Sequence, residues 1–300
     1  MALNKEIWIA DIVEGFFPAN DFVTKSIDHS AYVNNKTVHV PNGGLPPEIK
    51  VNPASFPIAA VKRTDSDLTY NIDTFCSVPI HIQNAEVAEL SYNKRQSVIG
   101  QMRQELQRVV SEAILSNWVP SSPVTLTTSG AAVAAHIAAA TGNRKAFSIN
   151  DVKKLKLMFD KEDLPSTGRY ILLDANMYND LMGEMTDGVK MNFLSGADPT
   201  SGIVGRFMGF DFLMRSKVLK TTQSGALKAW SASGAATDCA AGLAWHKDSV
   251  ARALGSVTMF TNDQDPQYYG DIMSCEVRAG GACCRSDKKG VVLIYEGTEA

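Results

Sequence analysis

The chain has 300 residues, of which 29 are basic and 32 acidic, giving a net charge of −3. That balance excludes tight, nonspecific nucleic-acid binding as the main activity, because such binding rests on neutralising phosphates. With 45% hydrophobic and 20% charged residues, the composition is that of a globular protein with a sizeable core, and the length gives a prior of about two domains.

Met1–Asn35 has little periodicity but many large apolar groups: Trp8, Ile9, Ile12, Phe16, Phe17 and Phe22, with Pro18 breaking the chain. Ile9, Ile12, Val13 and Phe16 fit the spacing of one helix face. Two readings stand, a helix on the chain's own core and an arm lying on a neighbouring subunit. Thr37–Ile82 reads as a long β-hairpin, because Thr37–Val40 and Leu68–Thr74 both alternate. Between them lie Pro41, Pro46, Pro47, Pro53 and Pro57 with Gly43 and Gly44. Such residues suit edges and turns, and a projecting two-stranded ribbon is marginal alone. Leu45, Ile49, Phe56 and Ile58 sit near its tip. Either the tip folds back on its own chain or it docks on a second subunit.

The strongest signal is Lys94–Trp118. Val98, Met102, Leu106, Val109 and Ala113 recur at steps of four, four, three and four, and Ile99, Val110, Ile114 and Trp118 widen the stripe. Arg103, Glu105, Arg108 and Glu112 form the polar face. This is an amphipathic helix of roughly 37 Å, long for a globular domain, and it needs a sheet or another helix laid along it.

Val119–Thr128 is a Pro/Ser/Thr linker, and Ala131–Ala140 is expected to be an Ala-rich helix with His136 merely tolerated in it. Ser148 and Asp151 form a capping box opening a helix with Ile149, Val152, Leu155 and Phe159. Tyr170–Leu173 is a buried strand, and Asp174 caps a helix over Ala175–Met182. Thr186–Gly202 is expected to be a mobile loop, Phe207–Met214 a strand, and Lys217–Thr237 a loop. Gly242–Trp245 is a strand and Asp248–Leu254 a short helix. Gly270–Cys284 and Gly290–Glu296 are expected to pair across Asp287–Gly290, with Val291–Tyr295 buried on both faces.

Catalytic chemistry is hard to assemble. His246, Asp248 and Ser249 are sequence neighbours, but triads are assembled in space, and no G-x-S-x-G elbow is present. Cys275, Cys283 and Cys284 with His246 match no zinc spacing. Gly202, Gly205 and Gly209 make no dinucleotide fingerprint. No cofactor, metal or catalytic residue is assigned, and the chain is read as a non-enzyme. Five cysteines without a CxxC spacing fit a reducing cytoplasm. The run Gly130–Gly142 is too short for a membrane span, and no membrane partner is expected.

The order of parts resembles the major capsid proteins of tailed bacteriophages, with the fold named for the phage Hong Kong 97. His81-Ile-Gln-Asn-Ala-Glu86 running into Ser97–Leu115 resembles that family's approach to its spine helix. Leu164-Pro-Ser-Thr-Gly-Arg-Tyr-Ile-Leu-Leu-Asp174 followed by Met177, Tyr178 and Leu181 resembles its strand-then-helix segment, and Gly209–Met214 the strand after it. Ala244–Val250 and Arg285–Val292 resemble its last segments.

The resemblance implies an α+β fold with an N-terminal arm over 1–36 and an extended E-loop hairpin over 37–71. A peripheral domain with the spine helix follows over 72–128, then an axial domain over 129–239, and 240–300 return to both. It implies self-assembly of this chain into hexamers and pentamers of an icosahedral head around double-stranded DNA, formed in a bacterial host cytoplasm. Portal and scaffolding proteins would be partners, and packaged DNA would be touched weakly and without sequence preference. The arm begins almost at Met1, so scaffolding is expected to be a separate protein or unnecessary. The inter-subunit candidates are Trp8, Phe16, Phe17, Phe22, Leu45, Ile49, Phe56 and Ile58. The Thr186–Gly202 and Lys217–Thr237 loops are candidates for the symmetry axes. A compartment shell enclosing a cargo enzyme is the alternative on the same fold; an α/β enzyme with an unrecognised site is the alternative of another class.

Overall fold

The computed structural model describes residues 16–42, 48–49, 51–52, 58, 60, 66–83, 94–285 and 287–298. In chain order the strands before the long helix are β1 (Ile27–Asp28), β2 (Val33–Asn34), β3 (Thr37–Asn42), β4 (Ser66–Asn71), β5 (Asp73–Cys76) and β6 (Ile80–Gln83). Helix α1 is Lys94–Trp118. There follow β7 (Val124–Thr127), β8 (Ala132–Ala134), β9 (Asn143–Lys145), α2 (Ile149–Lys161), β10 (Arg169–Asp174), α3 (Ala175–Glu184) and α4 (Asp187–Ser195). The chain continues with β11 (Gly205–Phe207), β12 (Phe210–Arg215), β13 (Leu219–Thr221), β14 (Cys239–His246), β15 (Val250–Asp265), β16 (Gly270–Cys283), β17 (Val291–Tyr295) and β18 (Gly297–Thr298).

Two sheets carry the body. One runs β1-β15-β16-β5, with β6 also on β16; the other runs β11-β12-β10-β14-β17-β7, with β13 on β14. The second sheet is buried on both faces, and the period-two alternation of a strand sorts its residues between two cores. Leu172, Leu243, Trp245, Val291 and Leu293 join Val110, Ile114 and Trp118 of α1 in one core. Ile171, Leu173, Ala244, Val292 and Ile294 join Val152, Leu155 and Phe159 of α2 and Met177 and Leu181 of α3 in the other. Both helices are opened as expected: Ser148 and Asp151 form a reciprocal capping box, and Asp174 accepts from the Met177 N–H at 2.6 Å.

Helix α1 lies along β16 as its stripe requires. Met102, Leu106, Val110, Ala113, Ile114 and Trp118 are buried, while Arg108 bridges Glu105 and Glu112 on the wet side. Close approach depends on Gly281 of β16. A Cβ there would lie 2.8 Å from the Ala251 carbonyl oxygen and 2.9 Å from Ile114 Cγ2.

Several expectations are corrected. Ala131–Ala140 is not a helix: β8 pairs with β9, Val133 opposite Arg144. Sheet pairing and the burial of His136 outweigh the helix propensity of alanine. Asp248–Leu254 is not a helix either. A single 3-10 turn at Lys247–Ser249 leads into β15, a sixteen-residue strand that pairs with β16 from Val250↔Cys283 to Asp265↔Gly270 with two register shifts. Thr186–Gly202 contains α4, anchored by the buried Phe193 edge-on to Phe212 at 5.2 Å. Finally, β16 and β17 do not pair but belong to different sheets, β17 lying between β14 and β7. The N-terminal helix proposed around Ile9 lies outside the described residues.

The indole of Trp118 donates to the Ala251 carbonyl at 2.8 Å and packs against Trp245 at 5.3 Å between ring centroids. Replacing Trp118 with Phe keeps most of the apolar contact but removes that buried hydrogen bond. The expected cost is about 1–3 kcal/mol, read as a lowered thermal midpoint of the unassembled subunit with its circular dichroism spectrum retained.

Candidate functional site

The expected hairpin is present as β3 and β4, in register from Thr37↔Asn71 to Asn42↔Ser66. Its root is fixed by a small apolar cluster of Val38, Ile72 and Ala253, with Val33, Val40 and Tyr70 packed against it. Two glycines let the root approach the first sheet. A Cβ on Gly280 would lie 3.0 Å from the Ile72 Cα, and one on Gly255 would lie 3.0 Å from its Cδ1. Beyond this root the ribbon carries apolar side chains into water. Ile49 is 86% exposed, Val51 83% and Ile58 47%. Leu45 and Phe56 lie outside the described residues, as does Trp8.

Of the two readings of the leading segment, the structure shows packing on the chain's own core from Phe16 onward. Phe16 and Phe22 are buried in the chain's own core and present nothing to a neighbour; Phe17 is half-buried beside them. Phe22 packs edge-on to Trp118 at 5.8 Å. The backbone behind it is tied down as well. Lys25 O accepts from the Trp245 indole at 2.9 Å, and Arg252 donates to Val23 O and Ser26 O at 3.2 and 3.0 Å. The physical reason is packing: Phe22 meets Trp118 at the end of α1 and Trp245 of β14, and the backbone after it is bonded by Trp245 and by Arg252 of β15.

Sequence reasoning missed two other apolar surfaces. The β15–β16 hairpin exposes Phe260 within β15 and Tyr268 in its turn, and Tyr269 in the turn is 79% exposed with φ at +51°. Helix α4 exposes Met191 and Leu194 on the side away from Phe193. The adjacent tyrosines after Asp265-Pro266 were the available signal, since an aromatic pair in a turn has no core to enter.

The three triad candidates do not face one another as a triad would. His246 Nε2 lies 2.9 Å from Thr167 O, and its Nδ1 accepts from the Asp248 N–H at 3.2 Å. Ser249 Oγ is buried without a hydrogen-bond partner, so no triad forms. The five cysteines are free thiols, and among the described residues no group of three or more His, Cys, Asp or Glu is placed to hold a metal ion. No helix of the described residues is long and apolar enough to cross a membrane.

His136 is a correction to its expected idle role. Its buried ring lies 2.9 Å from Glu296 Oε1 and 3.2 Å from Asp180 Oδ2. These are ion-pair contacts without aligned hydrogen bonds at Nδ1 or Asp180 Oδ2. Glu296 in turn accepts from the Ala240 N–H at 2.8 Å. The ring therefore ties the β8–β9 segment to α3 and to the end of β17.

A family model described as phage capsid protein matches residues 77–296. No curated protein sequence matches the chain. Among solved structures, the capsid of the cyanophage P-SCSP1u is similar over 92% of this chain and 87% of its own, with a TM-score of 0.61 and 19% identity. The capsid of Ralstonia phage GP4 is similar over 96% of this chain and 91% of its own, with a TM-score of 0.62 and 13% identity. A virus-like particle from Pyrococcus furiosus is similar over 97% of this chain and 99% of its own, with a TM-score of 0.54 and 8% identity.

The His136 contacts make stability pH-dependent. Burial alone would push the imidazole down, but contact with Glu296 and the charges of Glu296, Asp174 and Asp180 hold it above its ordinary value of 6.5. Burial pushes the Asp174 and Asp180 carboxyls up. The stabilising charge on His136 is complete below its unfolded value and is lost as pH rises through the raised folded value. The two aspartates act in the same direction from lower pH, since their ionisation in this site becomes a cost as pH rises from their ordinary 3.8 through their raised folded values. The unassembled subunit is expected to lose stability as pH rises from about 6.5, the ordinary value of the imidazole, through the raised folded value of His136. His136→Gln is expected to flatten that slope, measured by urea denaturation at each pH.

Proposed function

This chain belongs to the phage capsid protein family, and from that premise we propose that it assembles as the hexamers and pentamers of an icosahedral head enclosing the double-stranded DNA of a tailed phage. Its α+β fold is of the Hong Kong 97 type, shared with major capsid proteins of bacteriophages. It is a structural protein of the virion shell. The observation that carries the finer reading is the ribbon: a root fixed in the body and, beyond it, Ile49 and Val51 left more than four-fifths exposed.

A shell subunit must bind several neighbours without closing into a small oligomer. Many modest contacts achieve this, because each is weak alone and multiplies through effective concentration around a closed shell. The ribbon over 37–71 is read as the E-loop that reaches a neighbour, and residues 1–36 as the N-terminal arm. We assign 72–128 to a peripheral domain and 129–239 to an axial domain, with 240–300 returning to both. The return alternates between the two sheets, with β15 and β16 beside α1 and β14 and β17 in the second sheet. Met191 and Leu194 of α4, and Trp230 in the following loop, support the 186–202 and 217–237 segments as contacts at the symmetry axes. Portal and scaffolding proteins are the expected further partners.

The likeness to a virus-like particle supports a second reading, a compartment shell around a protein cargo. The contents of purified particles separate the two, nucleic acid for a phage head and protein for a compartment.

Deleting Gly43–Pro57 is expected to leave a soluble, folded subunit that forms no particles by electron microscopy. An insoluble, unfolded product, or normal particles, would count against the ribbon as an interface element. The isolated subunit, with net charge −3, is expected to bind duplex DNA only weakly and without sequence preference in an anisotropy titration. Tight, strongly salt-dependent binding would overturn that expectation.

A further inference from the structure

A cavity of about 290 Å³ lies beside the leading segment, between α1 and the second sheet. Buried Phe22, Leu172 and Leu213 give it apolar walls, and Asn20, Gln107 and Arg215 supply its polar groups. Arg215 closes β12 and holds its guanidinium 5.1 Å from the centre of the Phe22 ring. Its Nη1 is shut off from solvent and has no hydrogen-bond partner. A buried charged donor is costly to leave unmatched. The acid in the cavity wall does not match it, because Asp21 is engaged elsewhere. Asp21 Oδ1 accepts from the Val23 N–H at 3.3 Å, and Oδ2 accepts from Ser111 Oγ at 3.1 Å and Gln107 Nε2 at 3.4 Å.

We propose that this cavity receives the carboxylate of Glu48 from a second copy of the chain, with the Arg215 guanidinium turning off the Phe22 ring to present Nη1 as its ion partner and the apolar walls holding the methylenes of the same side chain. This rests on the ribbon being an inter-subunit element. Glu48 is the one acidic residue between Asn42 and Asp65, in a ribbon otherwise bearing Lys50, Lys62 and Arg63. It is exposed in its own chain, next to the exposed Ile49, so the two charges do not satisfy each other within one molecule. Charge complementarity selects Glu48 over the rest of the ribbon, and the shell supplies the second copy.

Charge exchange tests the pairing. Arg215→Glu and Glu48→Arg should each raise the subunit concentration needed for particle formation by about tenfold or more, as expected when a buried charge pair is broken. The double variant should recover most of that loss. Should Arg215→Glu fail to fold, Arg215→Gln with Glu48→Gln replaces it, and the double should then assemble no worse than the worse single. In parallel, Asn20→Cys with Glu48→Cys should form intermolecular disulfides in assembled particles under mild oxidant. Losses that simply add, assembly unchanged in both singles, or no cross-link would overturn the pairing. Citrate raising the thermal midpoint of the wild type but not of Arg215→Gln, while Glu48 variants assemble normally, would assign the cavity to a small free carboxylate and overturn the second-copy assignment. If the Gly43–Pro57 deletion also assembles normally, the ribbon reading has failed; if that deletion blocks assembly while the Glu48 and Arg215 variants behave as wild type, this pairing alone has failed.

Discussion

The burial of Trp118 at the end of the long helix holds the body together. Its indole donates to Ala251 of the first sheet, while its rings meet Trp245 of the second sheet and Phe22 of the leading segment. One side chain thereby joins four parts of the chain. The contact depends on Gly281, where a Cβ would sit 3.0 Å from the Trp118 Nε1 and closer still to Ile114 and Ala251. Without that glycine the helix would stand off the sheet, and the shared core would open.

From this fixed body the chain sends out parts that are not satisfied within it. The ribbon is gripped at Val38 and Ile72 but leaves Ile49 and Val51 in water; the β15–β16 turn does the same with Tyr268 and Tyr269, and α4 with Met191 and Leu194. A rigid centre with several apolar extremities suits a subunit whose neighbours complete its burial. Single large patches invite one tight partner, whereas dispersed small ones distribute binding over many. The leading segment belongs to the body from Phe16 onward, since its aromatic side chains fill the space around Trp118 and Trp245.

The sequence made some elements legible because their physics is local. The apolar stripe of α1, the capping box at Ser148 and the Asp174 cap depend on near neighbours and were read correctly to their residues. Alternation marked the β3–β4 ribbon in the same way. The failures share a different cause. Residues 131–140 have the composition of a helix, yet His136 is drawn to Glu296 and Asp180, far away in sequence, and Ala132–Ala134 pairs as strand. Residues 250–254 have apolar spacing that a helix could use, and only the length of β16 opposite them makes a strand. Of the candidate contact residues, Ile49 and Ile58 are exposed as a docking role needs, whereas Phe16 and Phe22 are core. Composition could not separate them, because an aromatic residue serves a core and an interface equally well.

By itself the sequence determined where the long helix runs, which of its faces is apolar, where the ribbon lies and which helices begin at which caps. It did so because each of these follows from spacing within a few turns or strands of one segment. The tertiary structure alone decided that β16 and β17 lie in different sheets, that the leading aromatics are internal, and that Arg215 is left with an unmatched donor beside a cavity. Those outcomes depend on which distant segments fill the same space, and a side chain's own type carries no record of the neighbours that close packing brings to it.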